Sequence, residues 1–145
     1  MARLDPERLA AWRAASRAHS VVRRQLEVAL AERDLPLAWF EVLLSLQEAG
    51  GRLRALELSE QLLVNKSSLT RQLDRLEEVG YIRRDRGADD DGRSVLVVLT
   101  RDGRAAFRFG MTAYQSVVRR AFAVHVTDTD LVAVQRVAGK IVEAG

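Results

Sequence analysis

Residues 55–80, ALELSEQLLVNKSSLTRQLDRLEEVG, decide the fold. They divide into two short helical segments around a tight connection. The first, 55–63 (ALELSEQLL), carries Leu56, Leu62 and Leu63 as its apolar side. Val64 and Asn65 leave room only for a sharp turn. Asn65 is suited to start the next helix, because its side-chain oxygen accepts from backbone N–H groups that the first helical turn leaves without partners. That helix, 66–79, sets Leu69, Leu73 and Leu76 on one face. Gly80 ends it, since glycine adopts the backbone of a helix terminus at little cost. Two short helices joined this way are a helix-turn-helix.

Downstream, Tyr81–Arg86 (YIRRDR) and Ser94–Thr100 (SVLVVLT) have strand character, and the polar GADDDGR between them is rich in turn residues. A β-hairpin directly after a helix-turn-helix is the order of a winged helix. Upstream, Arg52-Leu53-Arg54 is a short extended piece behind Gly50-Gly51. Residues 36–48 (PLAWFEVLLSLQE) form a helix apolar on most sides, and such a helix is buried. The winged helix-turn-helix module thus spans about 36–100.

The rest is helical. Residues 5–32 repeat Leu9, Trp12, Ala15, His19, Val22, Leu26 and Ala29 at spacings of three and four, with Pro6 in the first turn. Residues 101–126 are striped by Phe107, Met111, Tyr114, Val118, Ala121 and Phe122. Residues 128–143, behind an N-cap at Thr127, are striped by Leu131, Val134, Ala138 and Ile141. The expected fold is mainly α with a small β-hairpin wing, one domain over residues 1–145. Flanking helical regions at about 5–32 and 101–144 need a cover for their apolar stripes. A second subunit supplies it; packing on the module within one monomer is the alternative.

Composition narrows the function. Hydrophobic residues are 48% and charged residues 30%, the balance of a soluble globular protein. No apolar run approaches the ~18 residues of a membrane span, and the charged start MARLDPERLAAW has no signal-peptide core, so a cytoplasmic location is expected. The absence of cysteine excludes disulfides and thiolate metal sites, and His19 and His125 lie far apart, so no metal and no cofactor is expected. No nucleophile–base pair or phosphate loop appears, which argues against an enzyme. The net charge of +3, its positive part carried almost wholly by arginine, invites an anionic partner. Residues 52–94 nevertheless hold nine Arg/Lys against nine Asp/Glu. The placement of individual arginines therefore matters more than the total.

Within residues 65–100, Leu69-Thr70-Arg71, Asp74-Arg75-Leu76-Glu77 and Gly80, then Asp91-Gly92-Arg93, Leu96 and Leu99-Thr100, resemble the recognition helix and wing of the MarR (multiple antibiotic resistance regulator) family. Length and helix order extend the resemblance over nearly the whole chain. It implies a sequence-specific regulator of transcription that binds double-stranded DNA, in the simplest case a repressor. It further implies a triangular homodimer with intertwined terminal helices, whose two winged lobes each read one half-site of a palindrome. Ligands that bind between dimer region and lobe lower DNA affinity in many members. The rival classes are a winged-helix ligand sensor and a protein-interaction module, each with little or no DNA binding.

The residues to weigh follow. Lys66, Ser67, Ser68, Thr70, Arg71 and Gln72 crowd the start of helix 66–79, and Arg75 lies a turn further on. Periodicity turns Ser67, Ser68, Arg71, Gln72 and Arg75 away from the leucine face, where hydroxyls and guanidinium groups reach phosphates and base edges. The hydroxyls serve equally as caps, and Arg71 has Asp74 and Glu78 within helical reach; the resemblance favours DNA for Arg71. Arg93, at the end of the hairpin turn, suits a narrow minor groove, and Asp91 is placed to hold its guanidinium. An exposed pair of little energetic weight is the competing account. The sequence departs from the family at Asp89, where proline is frequent, and Asp89-Asp90-Asp91 sets spare carboxylates beside phosphates. Arg83, Arg84 and Arg86 on the first wing strand are phosphate contacts or solvated charges, and Arg52 and Arg54 are weaker candidates of the same kind. Trp12, His19, Trp39 and Phe40 are the candidate pocket for a small aromatic or phenolic effector, against the weightier reading of core and interface packing.

Overall fold

A computed structural model describes residues 2–87 and 94–145. In chain order it holds α1 (Pro6–Ala31), α2 (Leu37–Glu48), β1 (Arg52–Arg54), α3 (Ala55–Leu62), α4 (Lys66–Glu78), β2 (Ile82–Arg86), β3 (Val95–Leu99), α5 (Arg101–Ala121), one 3-10 turn (Ala123–His125) and α6 (Asp128–Ala144). These elements form two compact units, Glu27–Ala113 and Met1–Leu26 with Tyr114–Gly145.

The Glu27–Ala113 unit contains the expected module, and its core is aliphatic. α2 buries Leu37, Phe40, Val42, Leu43 and Leu46, as its near-continuous apolar run requires. Phe40 stacks on Phe107 of α5, with ring centroids 5.7 Å apart, an arrangement that adds to the area both rings bury. α4 contributes Leu69, Leu73 and Leu76. Arg33, in the connection from α1 to α2, ties α5 down. Its Nη1 donates to the Phe109 carbonyl at 2.5 Å and to the Thr112 hydroxyl at 2.6 Å, and its guanidinium sits 4.6 Å from the Phe109 ring centroid.

The β structure exceeds the expected hairpin. The short piece Arg52–Arg54 joins as a third strand in the antiparallel order β1-β3-β2. Leu53 pairs with Val97 and Ile82 with Leu99, and all four side chains are buried. The alternation exposed–buried–exposed along Arg52, Leu53 and Arg54 is the period-two signature of a strand with one face on a core.

A second departure concerns α3. Leu56 and Leu63, placed on its apolar side from sequence, are 70% and 84% exposed, whereas Leu58 is fully buried. Leu58 and Leu62 are four residues apart and share a face; Leu56 and Leu63 share the opposite one. The helix offers leucines on both sides, and packing against α2 and the sheet selects Leu58. Leu63 closes α3 in the left-handed region, at φ 53°.

The hydroxyl of Thr100 joins three elements. It donates to the Gly80 carbonyl at 2.6 Å, at the end of α4, and accepts from the Gly103 N–H at 3.0 Å, in the first turn of α5. Gly80 itself has φ 85°, a left-handed value that glycine adopts without strain. Gly103 is required for a different reason: a Cβ there would collide with the Tyr81 carbonyl oxygen, which backbone cannot yield without moving the β2 start. Gly103→Ala is therefore expected to destabilise by about 1–3 kcal/mol, the usual cost of overpacking. Thermal unfolding followed by circular dichroism would register it as a lowered Tm, and an unchanged Tm would contradict this close approach.

The other unit is sparse in buried side chains, Leu26 and Val117 among them. The Thr127 Oγ1 accepts from the Asp130 N–H, and an Asp130 carboxylate oxygen accepts from the Thr127 N–H, each at 3.1 Å. This capping box fixes the start of α6 as expected. α5 ends at Ala121, earlier than the residue-126 boundary expected, where the 3-10 turn breaks the helix before α6. α6 buries none of its residues. Leu131, Val132, Val134, Val137, Ile141 and Val142 lie between 46% and 72% exposed, and Trp12 on α1 is 65% exposed. No helix among the described residues is long and apolar enough to cross a membrane.

Candidate nucleic-acid interface

α4 is built as a presenting helix. Its leucine stripe is fastened to the core, and its N-terminus is fixed by Asn65, whose Oδ1 accepts from the Ser68 N–H at 2.8 Å. The cap satisfies a donor that the first turn leaves free, an arrangement worth about 1 kcal/mol. The face away from the leucines carries Ser67, Arg71 and Arg75, all exposed, with Ser68 and Gln72 half-buried at its edge; Lys66 and Thr70, also exposed, flank the leucine side and border a hollow with Arg84 and Arg86. The Thr70 hydroxyl donates to the Lys66 carbonyl at 2.8 Å. Its lone pairs stay available, but its proton is engaged by the helix itself.

Arg71 has no ion pair among the described residues, although Asp74 and Glu78 are within helical reach. The same holds for Arg75 and Lys66. Arg71, Gln72, Arg75 and Ser68 line one side of a surface hollow whose other side is Pro36 and Trp39 at the start of α2. Trp39 thus belongs beside α4, a placement that the sequence does not suggest. Phe40, its neighbour in the supposed effector pocket, is fully buried and stacked on Phe107. A ring held so has no face left for a ligand, so Phe40 is corrected to a core residue. Trp12 and His19 are exposed on α1, in the other unit.

Arg84 also needs correction. Expected among the phosphate contacts, it is turned inward, its side chain only 13% exposed. It shares a cross-strand row with Leu53 and Val97, the inward row of the sheet. Its Nη2 lies 2.7 Å from Asp74 Oδ1 and 2.9 Å from Glu77 Oε1, its Nε donates to the same Oε1 at 3.2 Å, and its backbone N–H donates to Glu77 Oε2 at 2.9 Å. The Arg84 side chain, and then its backbone N–H, hold the Glu77 carboxyl below the ordinary glutamate range; Glu77 in turn raises Arg84. A guanidinium so compensated is part of the scaffold. Arg86, two residues on, is exposed, and Arg83 pairs loosely with Asp85 at 3.4 Å in full view of solvent. Asp91 and Arg93, with the acidic run from Asp89, lie outside the described residues. No group of three or more potential metal ligands occurs among the described residues.

Residues 33–94 match the model of the MarR family. Over 104 residues the chain is 32% identical to PecS, an HTH-type transcriptional regulator of Dickeya dadantii (strain 3937). That match covers 70% of this chain and spans 62% of PecS. Among solved structures, AbsC, a MarR family transcriptional regulator from Streptomyces coelicolor, superposes with a TM-score of 0.88 at 28% identity, covering 99% of this chain and 97% of AbsC. Sco3205, a MarR family transcriptional regulator from the same organism solved in complex with DNA, also gives 0.88, at 25% identity, over 99% of this chain and 91% of its own.

Proposed function

We propose that this protein is a member of the MarR family that regulates transcription by binding duplex DNA as a homodimer. The observation that carries the reading is the exposed cations of α4: Arg71 and Arg75 on its outer face and Lys66 at its start, without carboxylate partners among the described residues, on a capped helix whose leucines are buried. Cations left free at a fixed spacing on a protruding helix suit a polyanion whose groove admits a helix. The likeness to a regulator solved with DNA supports the same reading.

Dimerisation enters because α6 and the start of α1 leave so much apolar surface exposed. Two-fold symmetry would present two α4 helices to two half-sites, which makes the operator palindromic and its half-sites about one helical turn apart. Repression follows from occupancy of such a site near a promoter. Release by a small aromatic effector is the finer part of the proposal. Within the Glu27–Ala113 unit the half-buried Trp39 keeps accessible ring surface for it, and titrating aromatic acids against the protein–DNA complex tests it.

The decisive experiment is a mobility shift at stepped salt with duplex DNA selected by the protein from a random pool. If Lys66, Arg71, Arg75 and Arg86 meet phosphates in each subunit, roughly eight counterions are displaced per dimer and the slope of log K against log salt is about −7. A ligand sensor or protein-interaction module without DNA activity would give no retained complex at any salt concentration.

A further inference from the structure

Asp74 is the acidic residue that stands between Arg71 and Arg75 in sequence; Glu78, also exposed, follows Arg75 by three. Asp74 is 58% exposed, three residues from Arg71 and adjacent to Arg75. A free carboxylate there has two effects on a DNA-binding face. It repels phosphate, and at the three-residue helical spacing it captures the Arg71 guanidinium that the face needs free. In the structure Asp74 is paired not with Arg71 but with Arg84, whose guanidinium comes from the inward row of the sheet and meets its Oδ1 at 2.7 Å. Arg84 can do so because Glu77 anchors it from below: Oε1 takes two donations from the guanidinium while Oε2 takes the Arg84 backbone N–H. The charged hydrogen bonds fix the guanidinium plane of Arg84, whose side chain is only 13% exposed.

Resting on the DNA-binding reading above, we propose that Arg84 is a positioning residue that masks Asp74 and so keeps Arg71 and Arg75 free for DNA, without touching DNA itself. The consequence is distinctive. Loss of a phosphate-contacting arginine lowers affinity and flattens the salt dependence together. Loss of Arg84 lowers affinity by unmasking a carboxylate, and removing that carboxylate restores it.

The test uses a fluorescein-labelled duplex that the wild-type chain itself selects from a randomised pool, with affinity read by anisotropy over a range of salt. Four proteins are compared: wild type, Arg84→Gln, Asp74→Asn, and the double variant. Glutamine keeps most of the side-chain volume and one donor for Glu77, and circular dichroism establishes that each variant is folded. Arg84→Gln is expected to weaken binding about tenfold, matching a coupling of ~1.4 kcal/mol between charged neighbours. Adding Asp74→Asn to it is expected to bring affinity back to within about threefold of wild type, inside the range of such couplings. A double variant as weak as Arg84→Gln alone, while folded, overturns the masking role; so does an Arg84→Gln variant that binds as wild type. A salt slope reduced in Arg84→Gln and not recovered in the double variant also overturns it, since it marks a direct phosphate contact. If the wild-type chain selects and binds no duplex, the DNA-binding reading fails and this inference falls with it, an outcome separate from the other three.

Discussion

On the proposed homodimer, Ile141→Asp is expected to give a monomer of the 16.2 kDa chain mass and to weaken operator binding by about 10²- to 10⁴-fold, the range lost when a bivalent contact becomes a monovalent one. Ile141 is 64% exposed on a helix with no buried residue, in the stripe that Leu131 and Val134 begin. A solitary apolar residue in water is ordinary; six exposed on one helix, with Trp12 on another, mark an interaction surface. An aspartate placed in that surface would lose its hydration in the dimer without gaining a partner, a cost of several kcal/mol for each subunit. Lys140→Asp, at an exposed position of the same helix on the side away from Leu131 and Ala138, controls for the effect of an added carboxylate on helix stability and should leave the dimer intact. Light scattering at micromolar concentration reads the mass, and anisotropy with operator DNA reads the affinity. An Ile141→Asp protein that stays dimeric and binds DNA as wild type does would remove α6 from the interface.

The local devices of the fold are legible in the sequence because each is written in adjacent residues. Asn65 and Thr127 cap the helices they precede, and Leu69, Leu73 and Leu76 form the buried face of α4. Features that depend on a partner from elsewhere in the chain are not. α3 has leucines on two faces, and only its neighbours decide that Leu58 goes inward. β1 is three residues long, too short for periodicity to register, and exists as a strand because β3 pairs with it. Arg84 is an intermediate case. Two residues after Ile82 on a strand, it must share Ile82's inward face, and a cation directed inward requires a carboxylate. Strand alternation alone therefore calls for an acidic partner, and the carboxylates of the preceding helix, Asp74 and Glu77, supply it. Trp39 gives no such signal: an aromatic residue on an apolar helix reads as core, and its place beside Arg71 and Arg75 depends on how α2 meets α4.

Arg71→Ala is expected to cost the dimer roughly 2–6 kcal/mol of operator binding, because a two-fold complex loses the contact in both half-sites and each is worth about 1–3 kcal/mol. Arg71 is exposed, lacks an ion pair among the described residues, and stands in the middle of the polar face of α4. Two mechanisms give that loss and leave different traces. If the guanidinium reads a guanine edge, the alanine variant relaxes specificity at one position of each half-site while other positions keep their ranking. If it clamps a phosphate, every duplex weakens alike and the salt slope falls by about two per dimer. Arg93→Ala is the contrasting variant. Arg93 lies outside the described residues, and as a minor-groove contact its loss is expected to act through A·T-rich flanks without changing the preferred central bases. Binding of both variants to a panel of single-position operator changes, at two salt concentrations, separates these outcomes. Arg84→Gln in the same panel should behave as a partial loss of Arg71, and adding Asp74→Asn should reverse any fall in its salt slope, since a masking residue alters how many arginines are free. Wild-type affinity and specificity in a folded, dimeric Arg71→Ala protein would show that α4 is not the reading helix.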